Sequence, residues 1–129
     1  MSTDARLSAR RRGEEAEELA ARFLADRGLE IVARNYRTRL GEVDIVARDG
    51  PALVFVEVRA RSWSAYGGAA ASVDFRKQRR IVAAARHYLA RLRAEPPCRF
   101  DVLTLQGPQG APAWIRGAFD LSRAYNPNP

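Results

Sequence analysis

The chain has 129 residues, of which 47% are apolar and 29% charged, and a formal net charge of +7. This length suits one domain around one real core, and the apolar fraction excludes a disordered chain. No apolar run approaches the ~20 residues of a membrane-spanning helix. The basic start, Met1 to Arg12, leads into glutamates rather than an apolar signal core. A single cysteine, Cys98, can form no internal disulfide. The expectation is a cytoplasmic protein with no membrane partner.

Residues 1–12 read as a flexible basic arm, 13–121 as a single domain and 122–129 as a frayed tail. Ala16, Leu19, Ala20, Phe23 and Leu24 recur at helical spacing, which predicts a helix over 14–27 stopped by Gly28. Strands are expected over 29–36, 41–48 and 52–61. The last two are joined by Asp49-Gly50-Pro51, a turn that favours an antiparallel hairpin. Residues 62–72, with Trp63 and Tyr66-Gly67-Gly68, read as a loop. Ser72 or Asp74 then caps a second helix expected to run to about Ala94. Its stripe is Ile81, Val82, Ala85, Tyr88, Leu89 and Leu92, and Pro96-Pro97 ends it. Strands over 99–105 and 113–119 follow, separated by a turn at 107–110. The order α-β-β-β-α-β-β calls for one sheet with helices packed on it.

Charge is distributed unevenly along this order. From Arg76 to Arg93 the chain carries Arg76, Lys77, Arg79, Arg80, Arg86, Arg91 and Arg93 and no acidic residue. A solvated helix face explains such a run as well as a polyanion site does. About a stripe centred near Ala85, Arg76, Arg80 and Arg91 fall on one flank, with Lys77 at the stripe's edge. Arg79, Arg86 and Arg93 fall on the other. The flank with Arg76, Lys77 and Arg80 is the one expected to meet nucleic acid.

Two strands hold carboxylates among apolar residues. In Leu53 to Arg59, alternation sets Val54, Val56 and Val58 on one face and Leu53, Phe55, Glu57 and Arg59 on the other. In Gly41 to Val46 it groups Glu42, Asp44 and Val46, and aspartate is disfavoured in strands. A four-residue hairpin loop, Asp49 to Ala52, sets Asp44 opposite Glu57. A two-residue loop sets it diagonal to Glu57, and a three-residue loop separates the carboxylates unless a bulge restores them. Two carboxylates about 4 Å apart repel by on the order of 4 kcal/mol at an effective dielectric near 20. Arg59 could offset that as a local ion pair. A divalent cation could do so as well, and Mg²⁺ (or Mn²⁺) suits oxygen ligands from Asp44 and Glu57. Glu17, at the border of the first helix's apolar stripe, is the candidate third carboxylate. The lone His87 has no zinc-ligand partners.

Gly13-x-x-x-Glu17, Gly41-Glu42-Val43-Asp44, Phe55-Val56-Glu57-Val58-Arg59, Tyr66-Gly67-Gly68, Lys77-Gln78 and Arg99-Phe100-Asp101-Val102 occur in this order. Together they resemble the YraN-like family of uncharacterised bacterial proteins, over nearly the whole chain from Gly13 to Phe119. That family is grouped with the restriction-endonuclease-like PD-(D/E)xK superfamily and is similar in layout to archaeal Holliday-junction resolvases. The resemblance implies an α-β-β-β-α-β core with a central mixed sheet flanked by helices. It implies a Mg-dependent endonuclease acting on DNA rather than RNA, branched or damaged DNA included. A homodimer is left open. Glu17, Asp44, Glu57 and Arg59 would be catalytic, with Arg59 where the superfamily has lysine. Arg59 can stabilise phosphate charge, but its pKa is too high for a base. The competing expectations are a nucleic-acid-binding module without turnover and a protein-interaction domain that uses the basic helix.

Overall fold

The structure, a computed structural model, describes residues 3–61, 73–106 and 112–121, with only the backbone of 3–12, 60, 61 and 106. The element order is α1 (Thr3–Asp26), β1 (Glu30–Arg37), β2 (Glu42–Asp49), β3 (Ala52–Arg61), α2 (Phe75–Leu89), β4 (Cys98–Gln106) and β5 (Pro112–Phe119). The five strands form one sheet in sequence order, β1-β2-β3-β4-β5. β3 and β4 run parallel and every other pair is antiparallel, so the sheet is mixed. The parallel pair follows from α2, the crossover between them. The expected loop over 62–72, with Trp63, Tyr66 and the Ser72 cap, lies outside the described residues. So do the 107–110 turn and the 122–129 tail.

Each face of the sheet carries one helix. Ala20 and Leu24 of α1 are buried against Ile45, Ala47, Val54, Val56 and Leu103. Ile81, Val82, Ala85 and Leu89 of α2 are buried against Val43, Val46, Leu53, Phe55 and Phe100. β3 thus alternates as its sequence requires, with valines under α1 and Leu53 and Phe55 under α2. Aromatic rings extend the second core: Phe55 stacks on Phe100 and Phe100 on Phe119.

Three helical details depart from the expectation. α1 starts at Thr3, so the segment read as a flexible arm is helical from there; its Ala, Leu and Arg residues are strong helix formers. The buried ridge of α1 is Ala16, Ala20, Ala21 and Leu24, whereas Leu19 is exposed. Glu17 stands at i, i+3, i+4 and i+7 with Ala20, Ala21 and Leu24, inside that ridge rather than at its border. Finally, α2 stops at Leu89, short of Ala94, and Leu92 is exposed. The chain must leave the helix early to place Pro97 beside β3, where its carbonyl accepts from Leu53 N–H at 2.9 Å.

Candidate functional site

The β2–β3 hairpin turns on Gly50 and Pro51 alone, because Asp49 and Ala52 are already paired. The register expected of a four-residue loop is thus reached by a two-residue one, the loop expected to set Asp44 diagonal to Glu57. Gly50 takes φ 59, which glycine adopts without strain. The register runs from that pair to Ile45↔Val56. One step further it sets Asp44 across from Glu57. Regular pairing stops there because the Asp44 carboxylate takes the place of a ladder carbonyl, accepting from Val58 N–H at 2.8 Å. Asp44 also shares a side-chain hydrogen bond with Glu57. The two carboxyls therefore meet where β2 and β3 part.

β1 explains how Asp44 escapes the alternation. Asn35 has φ 53, in the left-handed region that asparagine tolerates better than most residues. It lies between the pairs Arg34↔Ile45 and Tyr36↔Val43, hence opposite Asp44. Across this break the strands change face. Ala33 and Tyr36 pack on the same core, and so do Val43 and Val46, while Ile45 joins the other. Asp44 consequently feels Glu17 from the α1 side and Glu57 from the α2 side.

The electrostatics follow this placement. Glu57 is 5% exposed. Its carboxyl is pushed up to about 8, first by burial, then by the Asp44 charge and the hydrogen bond with Asp44, against a downward pull from Lys77. Glu17 is also raised, by burial and then by Asp44. Arg34, a hydrogen bond with Asn35, and Arg37 pull it the other way. Arg34 Nη2 stands 3.9 Å from Glu17 Oε1, and its Nη1 is 2.8 Å from Glu18 Oε2. Among the described residues no three of His, Cys, Asp or Glu are close enough to hold a metal together. The donor set is instead a carboxylate pair with Glu17 as a more distant neighbour. That suits Mg²⁺, which binds through one or two carboxylates and keeps several waters.

The cations divide differently from the sequence expectation. Lys77, expected to grip phosphates with its neighbours, has its Nζ 3.4 Å from Glu57 Oε2. The Asp74 side chain caps α2 by accepting from Lys77 N–H at 2.8 Å, which fixes the first turn beside the site. Arg59 lies two residues beyond Glu57 on β3 and is partly buried. Arg76 and Arg80 point away from the core and line a groove together with Arg79, which the sequence had placed on the opposite flank. The three converge because residues 76, 79, 80 and 83 share the outer helix face at 3.6 residues per turn.

Sequence reasoning missed Asn35 and Arg34, which pull the Glu17 carboxyl down, although an asparagine inside a strand was a legible signal. Asp101 is a further buried carboxylate. It accepts from Trp114 Nε1 at 2.9 Å, Gly117 N–H at 3.0 Å and Arg99 Nε at 3.1 Å. Arg99 also pairs with Asp49 at 2.9 Å. This network ties β4 and β5 to the hairpin turn.

The comparisons with known proteins agree on one family. Residues 16–105 match the model of the uncharacterised protein family UPF0102. A UPF0102 protein of Nitrosospira multiformis is 50% identical over 117 residues, covering 90% of this chain and 98% of the relative. One of Cupriavidus pinatubonensis is 55% identical over 115 residues, covering 88% of each. One of Nitrosomonas europaea is 47% identical over 116 residues, covering 89% of this chain and 98% of the relative.

Proposed function

The chain belongs to the uncharacterised protein family UPF0102, and from that premise we propose that it is a Mg²⁺-dependent endonuclease that hydrolyses DNA phosphodiester bonds at the Asp44–Glu57 pair. The observation that carries this reading is Glu57 itself. A fold-stabilising residue in that place would be apolar, like Phe55 one step back on the same face. Instead a carboxyl is buried against a second carboxyl, and both sit where two strands part. A carboxyl whose proton affinity is raised by burial and by a neighbouring carboxyl, with Lys77 as a partial counter-charge, supports a functional rather than a structural role.

A divalent ion, when bound, supplies charge that offsets the pair, polarises a phosphate oxygen and eases loss of a proton from water. Asp44 and Glu57 would hold it. Val58 N–H fixes the Asp44 carboxylate beside Glu57. Glu17, set in the buried ridge of α1, adds negative charge and a second hydrogen-bond acceptor for water. Lys77 and Arg59 bring positive charge to the Glu57 side, where a phosphate would lie. Arg59 acts there by charge alone. Lys77 is the more direct counter-ion, since its ammonium already contacts Glu57.

A second reading is a nucleic-acid-binding module without turnover. Arginine at the usual lysine position favours it, as does the lack of a three-residue ligand cluster among the described residues. One experiment separates the two. Labelled duplex, single-stranded and branched DNA is incubated with the protein in Mg²⁺, Mn²⁺ or EDTA. The nuclease reading expects cleavage that requires the metal and disappears in Asp44→Asn and Glu57→Gln. Binding without cleavage of any substrate in either metal would establish the second reading.

A further inference from the structure

The turn between β1 and β2 ends in an exposed leucine. Leu40 is 72% exposed, the highest value among the large apolar side chains described. It is not exposed because the turn is loose. Thr38 Oγ1 accepts from Leu40 N–H and Gly41 N–H, each at 3.1 Å, and Thr38 N–H donates to Gly41 O at 2.8 Å. Gly41 is pressed on α2 so closely that a Cβ there would come within 1.9 Å of the Arg80 carbonyl oxygen. The fold thus fixes a leucine outward on a braced tip.

Positive charge surrounds that tip. On one side of Leu40 runs a groove of about 360 Å³ lined by Arg76, Arg79, Arg80 and Ala83. On the other runs one of about 790 Å³ lined by Arg37, Thr38, Arg39, Ala83 and His87. Arg37 pairs with Glu42 at 3.2 Å. Arg39, Arg76, Arg79 and Arg80 have no ion pair among the described residues.

We propose that this surface docks double-stranded DNA, with Leu40 as a wedge that enters the base stack while Arg39, Arg76, Arg79 and Arg80 hold the phosphates. Guanidinium groups pair with phosphate oxygens through two parallel hydrogen bonds. Apolar wedges on DNA-binding proteins unstack a base step and kink the duplex. An anionic membrane is the less fitting occupant. Interfacial segments present a broad apolar face, whereas here one leucine stands among arginines. The inference shares the nucleic-acid partner of the proposed function but does not rest on the carboxylate pair. Lys77, at Glu57, and Arg76 belong to the same first turn of α2, so docked DNA would lie next to that pair.

The test uses the full chain and a duplex carrying 2-aminopurine, in EDTA, so that metal-dependent cleavage plays no part. Wild type should bind and raise the probe's fluorescence as the step unstacks. Leu40→Ala should at least halve the rise at saturation and weaken binding roughly tenfold, with the salt dependence unchanged. Arg76→Ala with Arg79→Ala and Arg80→Ala should lower the salt slope by about two to three units, at ~0.9 per phosphate contact. Arg93→Ala, beyond the far end of α2, should behave as wild type, and because binding in EDTA needs no metal, failure of this surface is read separately from failure of the nuclease reading. Absence of duplex binding overturns the proposal. So does a fluorescence rise that survives in Leu40→Ala, or binding to anionic vesicles in preference to DNA. Leu40→Gln provides a second wedge variant, and thermal melting confirms that each variant is folded.

Discussion

Glu57 holds its proton more tightly in the folded chain than in the unfolded one, since its carboxyl is raised from 4.5 to about 8. The linked stability is therefore fully present below about 4.5 and is lost as the pH rises through about 8. Urea unfolding of the metal-free protein should show a loss on the order of a few kcal/mol across that window. Glu57→Gln mimics the protonated form and should flatten the dependence while remaining folded. An unchanged pH slope in that variant would show that another group is responsible. The position was legible from alternation alone, which put a carboxylate on the Phe55 face. Its meeting with Asp44 was legible only as one of several registers. Nothing in the chain order showed that Asp49 and Ala52 would pair and select that register.

At the scale of elements, the β1–β2 turn and α2 are held together by a glycine that has no space for a side chain. Gly41→Ala would force its methyl into the Arg80 carbonyl, and an α2 packed on both β2 and β3 cannot retreat freely. The expected cost is about 2–3 kcal/mol in urea unfolding. Gly13→Ala is the natural control. Gly13 is helical with nothing within 4 Å of an added Cβ. There the same substitution should stabilise, by roughly 0.5–1 kcal/mol. Equal effects from both would mean that the contact at Arg80 is soft. Element order and type were readable because periodicity is strong in α2, β2 and β3. Element ends were not. α2 stops at Leu89 for a reason far away in sequence, the seating of Pro97 on Leu53. Asn35 was legible as unusual in a strand, but its consequence was hidden, because a single left-handed residue changes which side every later side chain takes.

In the whole molecule, α1 and α2 press on opposite faces of the sheet, yet Glu17 from one and Lys77 from the other both reach the gap between β2 and β3. A tethered ammonium on one side and two raised carboxyls make that gap a place where added positive charge should stabilise the fold. An ion that binds the folded chain alone stabilises it by RT ln(1 + [L]/Kd). For millimolar affinity and a tenfold excess of Mg²⁺ this is about 1.4 kcal/mol. In a domain of this size that corresponds to a rise in Tm of about 5 °C. The measurement is a melting curve at constant ionic strength, with Mg²⁺, Mn²⁺ and Ca²⁺ each set against NaCl. Asp44→Asn and Glu57→Gln should melt higher than wild type without metal, because the repulsion is relieved. Both should then lose the response to divalent ions. Lys77→Met should do the reverse: it removes the built-in counter-ion, lowers the starting Tm and enlarges the response to Mg²⁺. A shift of the same size in wild type and Asp44→Asn would place the ion elsewhere on the molecule. No shift in wild type at ten millimolar would remove the cation from the site and leave Lys77 as its permanent counter-charge.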